Sequence, residues 1–226
     1  MIIVVPARGG SKRLPYKNIQ PLLGKPLLSH TIEVIAAADL GCPVYVSTDD
    51  KRIADIACTH NDVRVIMRPD VLANDTASTE SVLLHVLDIV AATGFNPRWV
   101  MTLPPTSPFR RPETIRRFAD ATNTDSDSQD CLMSTTENRG DFWRPQPDGT
   151  LARLFPDAPR RQQGRMPLFE ENSAIYVTRV AALRETGFIL GRRVRGLAIP
   201  AIEGFDINTA DDMKLAECIA FMLSQS

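Results

Sequence analysis

Arg8, Gly9, Gly10, Ser11, Lys12 and Arg13, followed at once by Pro15, Lys17 and Asn18, set four cations around a glycine-bearing loop. Glycines let backbone N–H groups approach phosphate oxygens, and Lys and Arg neutralise the several charges of a triphosphate. The spacing matches neither G-x-x-x-x-G-K-[ST] nor G-x-G-x-x-G, so the loop is neither a P-loop nor a dinucleotide fingerprint. Taken alone, the same residues also read as a solvated basic turn. A second constellation lies far along the chain. Asp206 and Asn208 alternate on an extended segment, so both side chains can converge on one cation.

These residues need elements to hold them. Met1 to Val5 is a β-branched, charge-free run that reads as a buried strand opening a parallel sheet, and Pro6 stops it. The basic loop then sits at the carboxyl end of that strand, where open α/β sheets bind ligands. A helical pattern follows from Pro26 to about Ala38, then a strand Pro43 to Thr48 ending at Asp49 and Asp50, both of which read as caps of a helix carrying Ile53, Ile56 and Ala57. Val63 to Met67 is a third strand, delivering Arg68 to its end. Ser78 and Thr79 open a helix with Val82, Leu83, Val86, Leu87 and Val90 at helical spacing. Its N-terminus offers unpaired N–H donors. Arg98 to Leu103 is a fourth strand, running into P-P-T-S-P-F-R, where three prolines stiffen a wall at the sheet's edge.

A helix from about Pro112 to Ala121 precedes the polar stretch 120–130, which reads as an exposed loop, and Cys131 to Ser134 is strand-like. Residues 137–170 are richer in Pro, Arg and Gly and read as an extended arm, with Asp148-Gly149 a turn between Phe142-Trp143 and Leu151 to Phe155. Asn172 to Thr178 is a strand, a helix starts at Arg179, and a strand lies near Val194 to Ile199. Thr209 with Asp212 signals the capped start of a last helix bearing Met213, Ala216, Ile219, Ala220 and Leu223.

The chain of 226 residues is expected to form a single α/β domain, 1–226, with the arm as an insertion. Its 26 basic and 27 acidic residues nearly cancel, which argues against nucleic-acid or membrane partners. Cys42, Cys58, Cys131 and Cys218 are scattered, without zinc spacing, and read as buried free thiols. His30, His60 and His85 fall in helical stretches and read as core or surface residues. Met1 leads into the strand without a basic n-region, and no apolar run approaches the ~20 residues of a membrane span, so a cytoplasmic location is expected.

P-A-R-G-G-S-K-R-L-P-Y-K-N at 6–18, with V-S-T-D at 46–49, R-P-D-V-L-A-N-D-T-A-S at 68–78, P-T-S-P-F-R at 105–110, R-Q-Q at 161–163 and N-S-A-I-Y at 172–176, resembles the acylneuraminate cytidylyltransferase family. The resemblance implies a Rossmann-like nucleotidyltransferase fold, with a mostly parallel central sheet flanked by helices and a small dimerisation insertion. It implies transfer of CMP from CTP to a 2-keto sugar acid, with loss of pyrophosphate. By it, Arg8, Lys12 and Lys17 are catalytic, and Arg8, Gly9, Gly10, Ser11, Lys12, Asn18, Arg68, Ala77 and Thr79 bind the nucleotide. Pro104, Thr106, Ser107, Arg161, Gln162, Asn172 and Tyr176 take sugar-binding positions, and Asp206 and Asn208 hold Mg2+. The arm implies a homodimer in which each chain completes its partner's sugar site, with Arg139 a further match to a cation reaching across.

Several positions depart from the family. Thr79 replaces a common serine, Pro104 a glutamine, Ser173 a glycine and Glu170 an arginine, while D-I-N replaces D-I-D at 206–208. The lost carboxylate predicts weaker metal binding. In another reading Asn208 belongs to the start of the last helix and Asp206 alone binds metal. Two other functions stay open: a nucleotidyltransferase joining GTP or CTP to a sugar 1-phosphate, and a nucleotide-binding homologue with little catalysis.

Overall fold

The apolar run at the start of the chain becomes β1 (Ile2–Pro6), whose two faces feed different cores. Ile3 and Val5 pack on one side of the sheet, and Ile2 and Val4 on the other. Each is at most 1 % exposed, as period-two alternation in a strand covered on both faces requires. This computed structural model describes residues 1–74, 76–123 and 128–225. The expected exposed loop at 120–130 therefore lies partly outside the described residues.

The other strands are β2 (Pro21–Leu22), β3 (Lys25–Pro26), β4 (Val44–Thr48), β5 (Val63–Met67), β6 (Trp99–Thr102), β7 (Cys131–Asn138), β8 (Trp143–Pro145), β9 (Leu151–Arg153), β10 (Leu168–Arg179) and β11 (Val194–Ala198). The helices are α1 (Leu27–Ala38), α2 (Lys51–Ala57), α3 (Thr79–Ala92), α4 (Pro112–Asp120), α5 (Val180–Thr186) and α6 (Ala210–Ser224). Seven strands form one sheet in the order β11-β7-β10-β6-β1-β4-β5. All its pairings are parallel except those of β10, which runs antiparallel to both β6 and β7. This is the mostly parallel α/β sheet expected from the sequence.

The chain moves outward from β1 through β4 to β5, then returns to place β6 on the other side of β1. That reversal opens a crevice at the carboxyl ends of β1 and β6, where the basic loop and the proline-rich wall begin. A third core ties the chain's distant parts together: Leu22 and Leu27 pack with Ile207, Ala216 and Ala220. It carries the D-I-N segment to the basic loop.

β7 and β10 extend further than expected, pairing out to Asn138 and Leu168, so the arm's root is a ribbon and its excursion beyond that ribbon is 139–167. The Asp148-Gly149 turn joins β8 to β9 as read, with Gly149 at φ +82°. Thr209 and Asp212 form the expected capping box on α6. Among the cysteines, only Cys131 is buried; Cys58 and Cys218 are exposed and Cys42 is intermediate, which corrects the expectation of buried thiols. His60 lies beyond the end of α2, its Nε2 3.3 Å from Ser29 Oγ. Among the described residues no helix is long and apolar enough to cross a membrane.

Candidate active site

The basic loop is held from beneath by the end of β4. Asp49 Oδ1 accepts the Gly9 N–H at 2.9 Å, so Asp49 serves the loop, while Asp50 alone caps α2 by accepting the Arg52 N–H at 2.8 Å. A Cβ on residue 9 would fall 2.5 Å from Asp50 Oδ2 and 2.7 Å from Asp50 Cβ, so only glycine fits that approach. Further along the loop, Tyr16 adopts φ +53° and its ring lies 3.9 Å beneath the Arg52 guanidinium, which also grips Asp50. Buried Asn18 donates from Nδ2 to Arg8 O at 2.9 Å, fixing the loop's start against its end.

Above this loop lies a cleft of about 440 Å3. Arg8, Ser11, Lys17, Asn18, Arg68, Ala77 and Thr79 line its one side, and Pro104, Thr106, Ser173 and Tyr176 the other. Arg68 donates to Ser47 Oγ at 3.0 Å and Ser47 O at 2.8 Å, and burial pulls its pKa down to about 10 against the attraction of Asp49. It is a positioned cation, not a free surface one. Ser78 caps α3, accepting the Ser81 N–H at 3.1 Å, so the N-terminal turn of this 14-residue helix faces the cleft. Gly9, Gly10 and Lys12 line an adjoining recess with Ser11 and Tyr16.

The opposite wall is set by β10. Its ladder breaks between Glu171 and Tyr176, where Ser173 takes a left-handed φ of +59°. The bulge directs the Tyr176 hydroxyl to Glu171, with Ser173 Oγ 3.1 Å away, and burial pushes the Tyr176 pKa up. Asn172 lies outside the cleft: its Oδ1 accepts from Ser134 Oγ at 2.5 Å and its Nδ2 donates to Thr136 Oγ1 at 3.0 Å. Ser107 is buried behind the wall, its hydroxyl without a hydrogen-bond partner among the described residues. Arg161 and Gln162 are exposed on the arm and do not line this chain's cleft. Arg139 is bound within the arm, donating to Arg165 O at 2.6 Å.

Arg110 was not singled out by the sequence. It is 3 % exposed and donates to Pro104 O, Thr31 Oγ1 and Ala174 O, each at 2.7 Å, so one guanidinium joins the proline wall, α1 and β10. Burial pulls its pKa to about 9, opposed by Asp206 and Glu203, and it stays charged at neutral pH. Its place in P-T-S-P-F-R was visible, but two of its partners, Ala174 and Thr31, lie 64 and 79 residues away in the chain.

The D-I-N segment is tied to the wall by Ile207 N–H to Thr106 O at 2.9 Å. Asn208 Oδ1 accepts from Lys17 Nζ at 3.0 Å and Arg13 NH2 at 3.2 Å, and its Nδ2 donates to Asp206 Oδ2 at 2.5 Å. Desolvation lowers the Lys17 pKa while Asp206 opposes the shift. No group of three or more His, Cys, Asp or Glu able to hold a metal occurs among the described residues. The donor set fits an oxygen-seeking ion that takes one carboxylate, here Asp206, and completes its shell with waters and phosphates.

A family model described as cytidylyltransferase matches residues 2–184. The chain is 31 % identical to a CMP-N,N'-diacetyllegionaminic acid synthase of Legionella pneumophila, over 96 % of this chain and 94 % of that one. It is 29 % identical to an N-acylneuraminate cytidylyltransferase of Escherichia coli over 96 % of this chain, which spans only 51 % of that longer protein. Its fold is similar to that of a CMP:2-keto-3-deoxy-manno-octonic acid synthetase complexed with CTP, with a TM-score of 0.69 at 18 % identity over 98 % of each chain.

Proposed function

The chain belongs to the cytidylyltransferase family, and we propose that it transfers CMP from CTP to a 2-keto sugar acid, a sialic acid or related nonulosonic acid, releasing pyrophosphate. The observation that carries this is one cleft at the sheet's switch point, cationic and helix-capped on one side and walled by Pro104, Thr106, Ser173 and Tyr176 on the other. Such a cleft takes a nucleoside triphosphate along one side and a second substrate across from its α-phosphate.

In this reading the hydroxyl oxygen at the sugar acid's anomeric carbon attacks the α-phosphorus. That P–O bond forms, the bond to the β-phosphate's bridging oxygen breaks, the hydroxyl proton is released, and pyrophosphate departs. Arg8 and Lys17 in the cleft, with Lys12 at its edge, hold the triphosphate in line and offset the charge gathering on the leaving group. Arg68, Ala77 and Thr79 bound the base, and the first turn of α3 offers N–H donors beside it. No covalent intermediate on the protein is needed. Asp206 would hold Mg2+, which supplies positive charge shared among phosphate oxygens when bound.

The arm supports a homodimer. Trp143, Leu151, Phe155, Met166 and Phe169 are 47 % to 83 % exposed, which suits a surface covered by a second copy. Arg161 and Gln162, remote from their own cleft, then serve the partner's sugar side. A CTP-dependent enzyme with four unpaired cysteines suits a reducing compartment, so a cytoplasmic location is part of the proposal.

The test is pyrophosphate release with Mg2+, crossing CTP, GTP, UTP and ATP against 2-keto sugar acids and sugar 1-phosphates. Turnover confined to CTP and a sugar acid is expected. Release only with a sugar 1-phosphate would overturn the acceptor class.

A further inference from the structure

We propose that Asn208 is a neutral clasp: it fastens Lys17 and Arg13 beside Asp206 without cancelling their charge, so that a divalent cation reaches Asp206 together with the nucleotide and not before it. The inference rests on the CTP reading above, because it concerns how the same site receives its phosphates.

An amide carbonyl has two lone pairs, and both are committed: Asn208 Oδ1 receives Lys17 Nζ at 3.0 Å and Arg13 NH2 at 3.2 Å. The amide's other end donates to Asp206 Oδ2 at 2.5 Å. This orientation is fixed by charge, since reversing the amide would set N–H donors against two cations and an oxygen against a carboxylate. The main chain is fixed as well. Asn208 N–H and Thr209 N–H both donate to Asp212 Oδ2, at 2.9 and 2.8 Å, within the α6 capping box. Asn208 thus has no oxygen lone pair left for a metal, and its backbone cannot turn without uncapping the helix.

The surrounding charge points the same way. Among the described residues, Arg13 and Lys17 gather beside the half-buried carboxylate Asp206, while Asp212 spends its Oδ2 on backbone donors. A free dication entering this field is repelled. One carried by a triphosphate arrives with an excess of negative charge, and the same cations then attract it. A carboxylate at 208 would reverse the balance: it would pair with Lys17 and Arg13, lowering their pull on phosphate, and would give the metal a second anionic oxygen. The amide therefore trades resting metal affinity for two cations, Lys17 and Arg13, that meet no carboxylate at position 208, from 191 and 195 residues away in sequence.

Mn2+ is the probe, with free Mn2+ followed by electron paramagnetic resonance as it is added to the whole protein without nucleotide; CTP binding is measured separately by calorimetry in EDTA. The wild type is expected to show no saturable Mn2+ binding in the micromolar range, yet to bind CTP in EDTA. Asn208→Asp is expected to gain a Mn2+ site at least about tenfold tighter, and to bind metal-free CTP about tenfold more weakly. Asn208→Ala, which removes the clasp without adding charge, is expected to weaken metal-free CTP binding and gain no Mn2+ site. Tight Mn2+ binding by the wild type, or an Asn208→Asp protein with unchanged Mn2+ affinity, overturns the proposal. Failure of the CTP reading is separable, because a wild type that ignores CTP but binds another nucleotide leaves the Mn2+ titrations of the three proteins still decisive.

Discussion

Lys17 is a lysine whose charge is costly to keep. Half-buried at the cleft, it loses solvation, which lowers its pKa below 10.5; Asp206 pulls the other way, and Arg13 and Arg8 add to the lowering. A lowered value means the ammonium loses its proton at a lower pH than an ordinary lysine, so the hold on phosphate proposed for it fades earlier as pH rises. The alkaline limb of kcat/KM, which reports the free enzyme, should therefore begin below pH 10.5. Lys17→Arg should move that limb upward, because guanidinium stays charged throughout the range. A limb unmoved by the substitution would exclude Lys17 as its source. Ser173 poses a backbone question of the same size. At φ +59° an L residue is strained by about 1–2 kcal/mol, whereas glycine is not, and its hydroxyl compensates by its contact with Tyr176. Ser173→Ala keeps the strain and loses the hydroxyl; Ser173→Gly loses both the hydroxyl and the strain. Thermal unfolding should rank the glycine variant above the alanine variant by about 1 kcal/mol, and the reverse ranking would show that the bulge is not strained.

At the scale of elements, the site depends on segments that carry little apolar core of their own. The basic loop is stapled to the start of α2 by Asp49, Asp50 and the Arg52–Tyr16 stack. The arm is organised around a charge: Asp141 receives Arg153 at 2.7 Å, Arg165 at 3.2 Å and Arg160 at 3.3 Å, while its large apolar side chains face outward. The Arg153 hydrogen bond, ahead of the other arginines' charge, holds the Asp141 pKa below its usual 3.8. A depressed carboxyl pKa gives stability that is present above the ordinary value and lost as pH falls through the folded one. Asp141→Asn should therefore behave at neutral pH as the wild-type arm does in strong acid. Limited proteolysis should cut 139–167 faster in this variant, with the main unfolding transition little changed, because the arm's ion cluster shares no residues with the sheet's cores. Unchanged cutting would assign the arm's order to its backbone bonds instead.

Across the whole molecule, what the sequence made legible follows the range of the forces involved. A charge-free β-branched run announced β1, helical apolar spacing α3, and Thr209 with Asp212 the cap of α6, because these depend on neighbours along the chain. Arg110, the Asp49–Gly9 bond and the partners of Asn208 were not legible, since each joins segments 40 to 195 residues apart. The Ser173 bulge was equally hidden, as only the pairing of β10 with β7 reveals the extra residues. The same limit applies to Arg161 and Gln162, whose cleft lies beyond their own chain if the homodimer is right. Complementation decides this. Lys17→Ala spoils a chain's own cleft, and Arg161→Ala spoils only what its arm lends. In a homodimer with exchanged arms, a heterodimer of the two variants rebuilds one intact cleft from the Arg161→Ala chain and the Lys17→Ala chain's arm. Unfolding and refolding an equal mixture should restore about a quarter of wild-type pyrophosphate release, since half the dimers are mixed and one of their two sites is whole. Either variant refolded alone should stay inactive, and a mixture no better than its parts would place Arg161 in the service of its own chain or of none.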